Sequence, residues 1–370
     1  MPPENQKLTM TVVSADVGGF VGNITSHPEV LDTAKERLFN AREKGLITDF
    51  HVLRCGDGLG LVISHYFGPE NKTLRDLLWN TLNSCVSIAK ELKLHNAGAG
   101  FSASGSAPID SSAGGPVITE LTFTERPSEP IIFFFANKTC QGAWNLPLYK
   151  IFADPFNTAG LIMDAEMSQG FTFKILDLKD GAEIAFSTPS EVYALLAVCG
   201  ITSRYVITSV RRNTDNEIAA SVTSRSLRSN GGLTQASRSN PAMLIRCQTG
   251  LPSVGEALEA FAAAHLVGGW MRESYNGPLM PVPFYEANPS RFDGPPRVIG
   301  AGFQLTDGRL IGPHDMFDDP SFDETRRLAN QITDYMRRHG PFEPHRSARN
   351  ETGEGKLPAV ASRLKERQGR

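Results

Sequence analysis

The sequence predicts an α+β fold, one large domain of stacked sheets flanked by helices, on three observations. Near the N-terminus, alternating extended runs and helical stripes follow one another in the order β-α-β-β-α, which suits a sheet with helices on one side. Later apolar runs are short and strand-like. One of them carries Phe133, Phe134 and Phe135 in succession, a pattern that fits a strand buried on both faces. No internal repeat and no Pro/Gly linker divides the chain, although its 370 residues would by length allow two to three domains.

The elements follow in order. Leu8 to Asp16 alternates and is rich in Thr and Val, so it reads as a strand. Pro28 to Lys44 carries Val30, Leu31, Ala34, Leu38 and Ala41 on one helical stripe, with Ser26 as candidate cap, Pro28 near the first turn and Gly45 as the stop. Ile47 to Cys55 and Leu59 to Tyr66 are extended runs joined by Gly56-Asp57-Gly58, which reads as a hairpin turn. Leu74, Leu77, Leu78, Leu82, Cys85, Ile88 and Leu92 then form the apolar face of a helix from about Lys72 to Leu94. Gly98 to Gly115 is rich in Gly, Ala and Ser without apolar period, the composition of a surface loop able to approach a ligand closely.

Further strands are expected at Val117 to Thr124, Pro130 to Ala136, Phe171 to Leu178, Arg204 to Val210, Glu217 to Thr223, Ala242 to Cys247 and Arg297 to Leu305. Helices are expected near Ser190 to Val198, Val254 to Ala264 and Asp323 to His339. Beyond Arg346 the sequence is polar, charged and poor in aromatics, and reads as a mobile tail.

Composition narrows the function classes. Hydrophobic residues at 40% and charged residues at 21% allow a sizeable core. Lys plus Arg at 37 against Asp plus Glu at 40 leaves a net charge of −3, too balanced for a protein whose main partner is a polyanion, so nucleic acid is not an expected partner. No apolar run approaches membrane-spanning length and the first residues are polar, so neither a membrane span nor a leader is expected and the reading is a soluble cytoplasmic protein. The five cysteines are far apart and odd in number, which argues for buried thiols over disulfides or a zinc site.

Chemistry-bearing positions are few. Asp16 ends the first strand just before Gly18 and Gly19, and Asp57 sits in the Gly-flanked turn. Carboxylates so placed can reach a metal or a phosphate-bound cation, and turn chemistry alone also favours Asp there. Three segments dense in Gly, Pro, Asn and aromatics, at Gly142 to Gly160, Gly269 to Val282 and Arg291 to Gln304, read as rigid irregular loops where a site or a subunit contact could be built. The eight histidines show no ligand spacing, and there is no Walker loop, dinucleotide fingerprint or G-x-S-x-G elbow.

These loops, together with the S-A-D-V-G-G run ending at Gly19, Arg54-Cys55-Gly56-Asp57-Gly58 and the segment from Asp334 to Arg346, resemble the fructose-1,6-bisphosphate aldolase/phosphatase family, typical of archaea and deep-branching bacteria. The resemblance runs from about residue 6 to about 346, so that residues 1–346 read as one domain of this type and 347–370 as the polar tail. It implies a four-layer α-β-β-α sandwich assembled as a homo-octamer. It also implies Mg²⁺, a Schiff-base lysine and a tyrosine acid/base that condense two triose phosphates, followed by remodelling of the same site to hydrolyse the 1-phosphate.

Several residues that this mechanism requires are replaced. The family's first metal aspartate matches Asp16, but its ligand histidine in a G-H pair matches Asn23. Its C-G-D-D run is Cys55-Gly56-Asp57-Gly58, its glutamine ligand falls at Ala99, and its A-D-K-T run is Ala136-Asn137-Lys138-Thr139. In the catalytic loop, where the family reads Y-V-G-K-D-D-P, the chain reads Gln235-Ala236-Ser237-Arg238-Ser239-Asn240-Pro241. Arg238 therefore stands at the lysine, and a guanidinium stays protonated and is a poor imine-forming nucleophile. Gln235 stands at the tyrosine and has no titratable proton. No lysine occurs between Lys179 and Lys356, and the last tyrosine is Tyr335, so the family's C-terminal tyrosine has no counterpart.

Only Asp16 and Asp57 remain of the metal carboxylates, and the expectation is partial Mg²⁺ occupancy there or none. Residues resembling the family's substrate contacts are present as Lys138, Gln248, Arg272 and Asp293, so the expected ligand is a phosphorylated or otherwise anionic small molecule. Three functions are weighed. The first is an enzyme repurposed to a sugar phosphate or related metabolite in a specialised biosynthetic pathway, with Asp57, Lys138 and Arg238 as its polar groups. The second is a non-catalytic paralogue that binds ligand or co-assembles with an active member. The third, ranked lowest on the residues, is a Mg²⁺-dependent fructose-1,6-bisphosphatase of gluconeogenesis with a reduced metal site.

Overall fold

Period-two alternation in the first strand sets the layering. In β1 (Leu8–Asp16), Leu8, Met10 and Val12 face one side of a sheet and Val13 and Ala15 the other, and both sides are buried. A computed structural model describes residues 6–101, 115–137, 139–227, 233–235, 241–269, 275–289 and 294–338. The expected polar tail at 347–370 and most of the expected Gly/Ser-rich loop at 98–115 lie outside the described residues.

β1 is followed by the short pair β2 (Gly19–Phe20) and β3 (Thr25–Ser26), then helix α1 (Pro28–Glu43), strands β4 (Asp49–Cys55) and β5 (Gly58–His65) and helix α2 (Lys72–Glu91). β6 (Val117–Phe123) pairs with β1 and completes the middle of the smaller sheet. The cap of α1 is His27, whose Nδ1 accepts the Glu29 N–H at 3.3 Å, and not the expected Ser26. The Ser26 hydroxyl instead donates to the Asp57 carbonyl at 2.9 Å. α2 starts where the Asn71 side chain accepts the Leu74 N–H at 3.0 Å.

The second half builds the larger sheet and its helices. In chain order these are β7 (Glu129–Asn137), α3 (Asn145–Ala153), α4 (Gly160–Met163), β8 (Phe171–Asp177), β9 (Glu183–Ser187), α5 (Val192–Cys199), β10 (Tyr205–Arg212) and β11 (Ile218–Val222). Then come β12 (Arg225–Leu227), β13 (Leu233–Gln235), β14 (Ala242–Arg246), α6 (Val254–Glu259), β15 (Leu266–Gly269), β16 (Tyr275–Pro278), β17 (Met280–Pro281), β18 (Arg297–Thr306), β19 (Arg309–Asp315) and α7 (Asp323–Arg338). The smaller sheet has the order β13-β12-β6-β1-β5-β4, and the larger β17-β18-β7-β14-β11-β10-β8-β9 with β19 on the outer side of β18.

Three apolar layers hold four structural layers together. α1 and α2 cover the outer face of the smaller sheet through Val30, Leu38, Leu78 and Leu82. The two sheets face each other through Met10, Val12 and Val62 on one side and Phe133, Phe135 and Leu244 on the other. α3, α5 and α6 cover the outer face of the larger sheet, where Phe134 meets Trp144, Leu148 and Phe261. The fold is thus α+β, an α-β-β-α sandwich, and β7 is buried on both faces as its three phenylalanines predict.

The segment from Gly142 departs from the expected irregular loop. It forms a short 3-10 turn and α3, and Trp144, Leu148, Ile151 and Phe152 are buried in the outer core. Pro147 lies in the first turn, where a missing N–H costs nothing.

Candidate functional site

The β4–β5 turn is where the two sheets meet. Cys55 pairs with Gly58, so Gly56 and Asp57 alone close the hairpin, and Gly56 takes φ +60. The Gly56 N–H donates to the Ala287 carbonyl at 2.9 Å, and its own carbonyl accepts from Ser26 N at 3.2 Å. Asp16 ends β1 directly across from Gly58, so Asp16 and Asp57 lie at one end of the smaller sheet.

Asn137 reaches this turn from the other sheet. It ends β7, pairs across the ladder with Arg297 and is only 1% exposed. Its Nδ2 donates to the Cys55 carbonyl at 3.0 Å and to Asp57 Oδ1 at 3.1 Å. Both partners are acceptors, which fixes the amide orientation with nitrogen toward the turn. The Cys55 thiol lies 3.5 Å from the Arg297 carbonyl, and burial pushes its pKa up to about 12, so it is no nucleophile. Burial likewise lowers the Arg297 guanidinium from its ordinary value.

The expected glycines beside Asp16 serve packing. A Cβ on Gly18, whose φ is +148, would meet the Ala89 side chain at 3.0 Å and the Ala97 backbone at 3.2 Å. The Gly19 N–H and carbonyl both bond His95, and Gly98 N bonds the Val17 carbonyl at 3.1 Å, so the chain after Asp16 is docked on the segment after α2.

Gln248 lies elsewhere. β14 runs antiparallel to β7, with Ala242 beside Phe135 and Arg246 beside Ile131. Cys247 N bonds the Pro130 carbonyl at 2.9 Å. Seven residue steps along β7 lead from Pro130 to Asn137, which puts Gln248 roughly 20 Å from the Asp57 turn within one chain. There, Gln248, Thr249 and Gly250 take φ +65, +50 and +72 in succession. Arg126 donates to the carbonyls of Cys247, Gln248 and Thr249, and Arg212 to that of Gly250 at 2.9 Å. The structure therefore brings Asp16 and Asp57 together and leaves Gln248 at the opposite end of the sheet. Lys138, Arg238, Arg272 and Asp293 lie outside the described residues.

A magnesium cage needs converging oxygen ligands. Among the described residues no three of His, Cys, Asp and Glu converge. At the strand end where β1 places Asp16 across from Gly58, Asn137 turns an N–H donor on Asp57, which is the wrong polarity for a shared cation. The described residues do not fit a multi-ion cage. Asn137 and Arg297 were not among the residues expected to form the site. The sequence signals for them were a polar residue ending an otherwise apolar run and an arginine opening one.

Comparison with known proteins agrees with the resemblance seen in the loops. A family model described as fructose-1,6-bisphosphatase matches residues 7–369, past the point at residue 346 where the sequence resemblance was read to end. A protein of Ignicoccus hospitalis named fructose-1,6-bisphosphate aldolase/phosphatase is 47% identical over 98% of the chain and 93% of its own length. Proteins of the same name from Methanothermobacter marburgensis and Moorella thermoacetica are 45% and 46% identical, again over 98% of the chain and over 98% and 94% of their own lengths.

Proposed function

Since the chain belongs to the fructose-1,6-bisphosphate aldolase/phosphatase family, we propose that it is a repurposed member. In this reading it takes a sugar phosphate or related anionic small molecule and acts on it in a specialised biosynthetic pathway, by chemistry that does not pass through a Schiff base. One observation carries the reading: from Lys179 to Lys356 the chain offers no primary amine, and Arg238 stands where the family's lysine is expected. A protonated guanidinium does not form an imine with a ketone, so the position the family uses for Schiff-base formation offers no nucleophile.

Lys138, Arg272 and Arg238 supply cationic recognition of phosphate in this reading, Asp293 supplies a polar contact and Asp57 the acid or base, while Gln248, at the far end of β7, would reach the same ligand only from a second copy of the chain. The family's homo-octamer and a cytoplasmic location belong to the same proposal. Among the described residues no helix is long and apolar enough to cross a membrane. The hydrogen bond from Asn137 to Asp57 favours a second reading, a non-catalytic paralogue, because it occupies one oxygen of that carboxylate.

Three measurements test this. Borohydride reduction in the presence of dihydroxyacetone phosphate is expected to leave the protein unlabelled, and a covalent adduct would refute the assignment of Arg238. Phosphate release from fructose 1,6-bisphosphate is expected at background across a Mg²⁺ titration; Mg²⁺-dependent turnover would instead support a reduced-metal bisphosphatase. A thermal-shift panel of sugar phosphates is expected to find a stabilising ligand. Turnover of that ligand separates the repurposed enzyme from the non-catalytic paralogue.

A further inference from the structure

We propose that the Asn137 carboxamide replaces a divalent cation at the corner between the two sheets, so that the Asp57 turn holds its shape without metal. This deepens the reading of the same site, but its readout is stability and not turnover, so either can fail alone.

A cation between carboxylates does two physical jobs: it neutralises their repulsion, and it ties together the elements that carry them. Asn137 takes over the tie by hydrogen bonding, and its N–H donor answers the charge of one carboxylate, that of Asp57. Its side chain has one face toward acceptors only, the Cys55 carbonyl at 3.0 Å and Asp57 Oδ1 at 3.1 Å. The amide is neutral, so it adds no charge that an ion would have to balance, and its N–H dipoles point at the Asp57 carboxylate. Cys55 and Asp57 flank the turn of the smaller sheet, while Asn137 ends a central strand of the larger one, so the two bonds bridge the sheets. Gly56 makes room for the amide, since a Cβ there would sit 2.3 Å from Asn137 Nδ2. The turn and the amide are thus fitted to each other, and an ion at the Asn137 side of Asp57 would have to displace a bonded N–H.

The test uses the full chain, EDTA, and millimolar MgCl₂ or MnCl₂, with Tm as the readout. The Tm of the unaltered protein is expected to be the same with EDTA and with either metal; a rise of several degrees on adding metal would overturn the proposal. Asn137→Asp places a second carboxylate against Asp57. It is expected to lower Tm in EDTA by roughly 5 °C or more and to recover most of that loss with Mn²⁺ or Mg²⁺. No loss in EDTA, or a loss that neither metal repairs, would overturn the claim that the amide stands in for a cation. Should that variant fail to fold, hydrogen exchange of the Asn137 side-chain NH₂ in the metal-free, unaltered protein decides. Protection is expected, and solvent-rate exchange would overturn the proposal.

Discussion

Gly56 shows how much a single missing methyl group permits. Its φ of +60 is adopted by Gly45 as well, at +68, but a Cβ on Gly45 would meet nothing within 4 Å, while one on Gly56 would overlap the Asn137 amide. The two sites therefore separate backbone strain from steric collision. Gly45→Ala is expected to cost about 1 kcal/mol, the ordinary penalty for left-handed alanine. Gly56→Ala adds displacement of a buried hydrogen-bonded side chain and is expected to cost about 3 kcal/mol. Urea unfolding of the two variants beside the parent protein measures the difference, and equal midpoints would show that the Asn137 contact carries no stability. Another residue-scale expectation concerns Glu129, fully buried and bound by Arg246 through two bonds of 2.9 and 2.7 Å and by the Arg126 guanidinium through two more, with a further bond from the Arg126 backbone N–H. Glu129→Gln leaves Arg126 without the carboxylate it pairs with and Arg246 with only its ion pair to Glu217 at 2.7 Å, and is expected to cost about 3–5 kcal/mol in the same assay.

At the scale of elements, legibility follows local periodicity. β1, α1, the β4–β5 hairpin and α2 could be placed within a few residues because each buries one clean face or a continuous run. α3 was hidden by Asn145 and Pro147, which read as loop punctuation, and β19 by Gly312 and Pro313 inside a strand whose faces are mostly exposed. The candidate site was legible as residue types, in Asp16 and Asp57 beside glycines, and illegible as geometry. That Asn137 meets Cys55 and Asp57 depends on two sheets docking across 80 residues of sequence separation. That Gln248 lies at the far end of β7 depends on the antiparallel register of β14. Asn145 shows the same limit for stability. Its side chain donates to the Tyr205 carbonyl at 2.7 Å and the Cys199 carbonyl at 3.3 Å and accepts the Ile207 N–H at 3.0 Å, tying α3 to α5 and β10. Asn145→Ala is expected to cost about 2–4 kcal/mol by leaving these groups buried without partners, measured as a lowered urea midpoint with unchanged slope.

Across the whole molecule, three apolar layers leave polar groups buried at the layer edges, and these set the pH response. His65 lies against Thr11, whose hydroxyl is 2.8 Å from His65 Nε2, and burial lowers its pKa from 6.5 to about 4. His265, between α6 and β15, is lowered by burial to about 4 as well. A base whose folded pKa is depressed takes up its proton more readily in the unfolded chain. The stability it contributes is complete above pH 6.5 and falls away as pH drops from 6.5 toward 4. Glu129 continues the trend lower down. Burial alone would raise it, but the bonds from Arg246 and Arg126 outweigh that and hold it below its ordinary value, so its contribution is lost only below pH 4.5. Tm is therefore expected to decline in two stages, first between pH 6.5 and 4 from the histidines and then more steeply below 4.5 as the Glu129 network is protonated. His265→Leu removes one titrating ring from the first stage and leaves the second intact. A Tm that stays level from pH 7 to 4.5, or a first stage unchanged in that variant, would show that the rings gain protons without opening the layers.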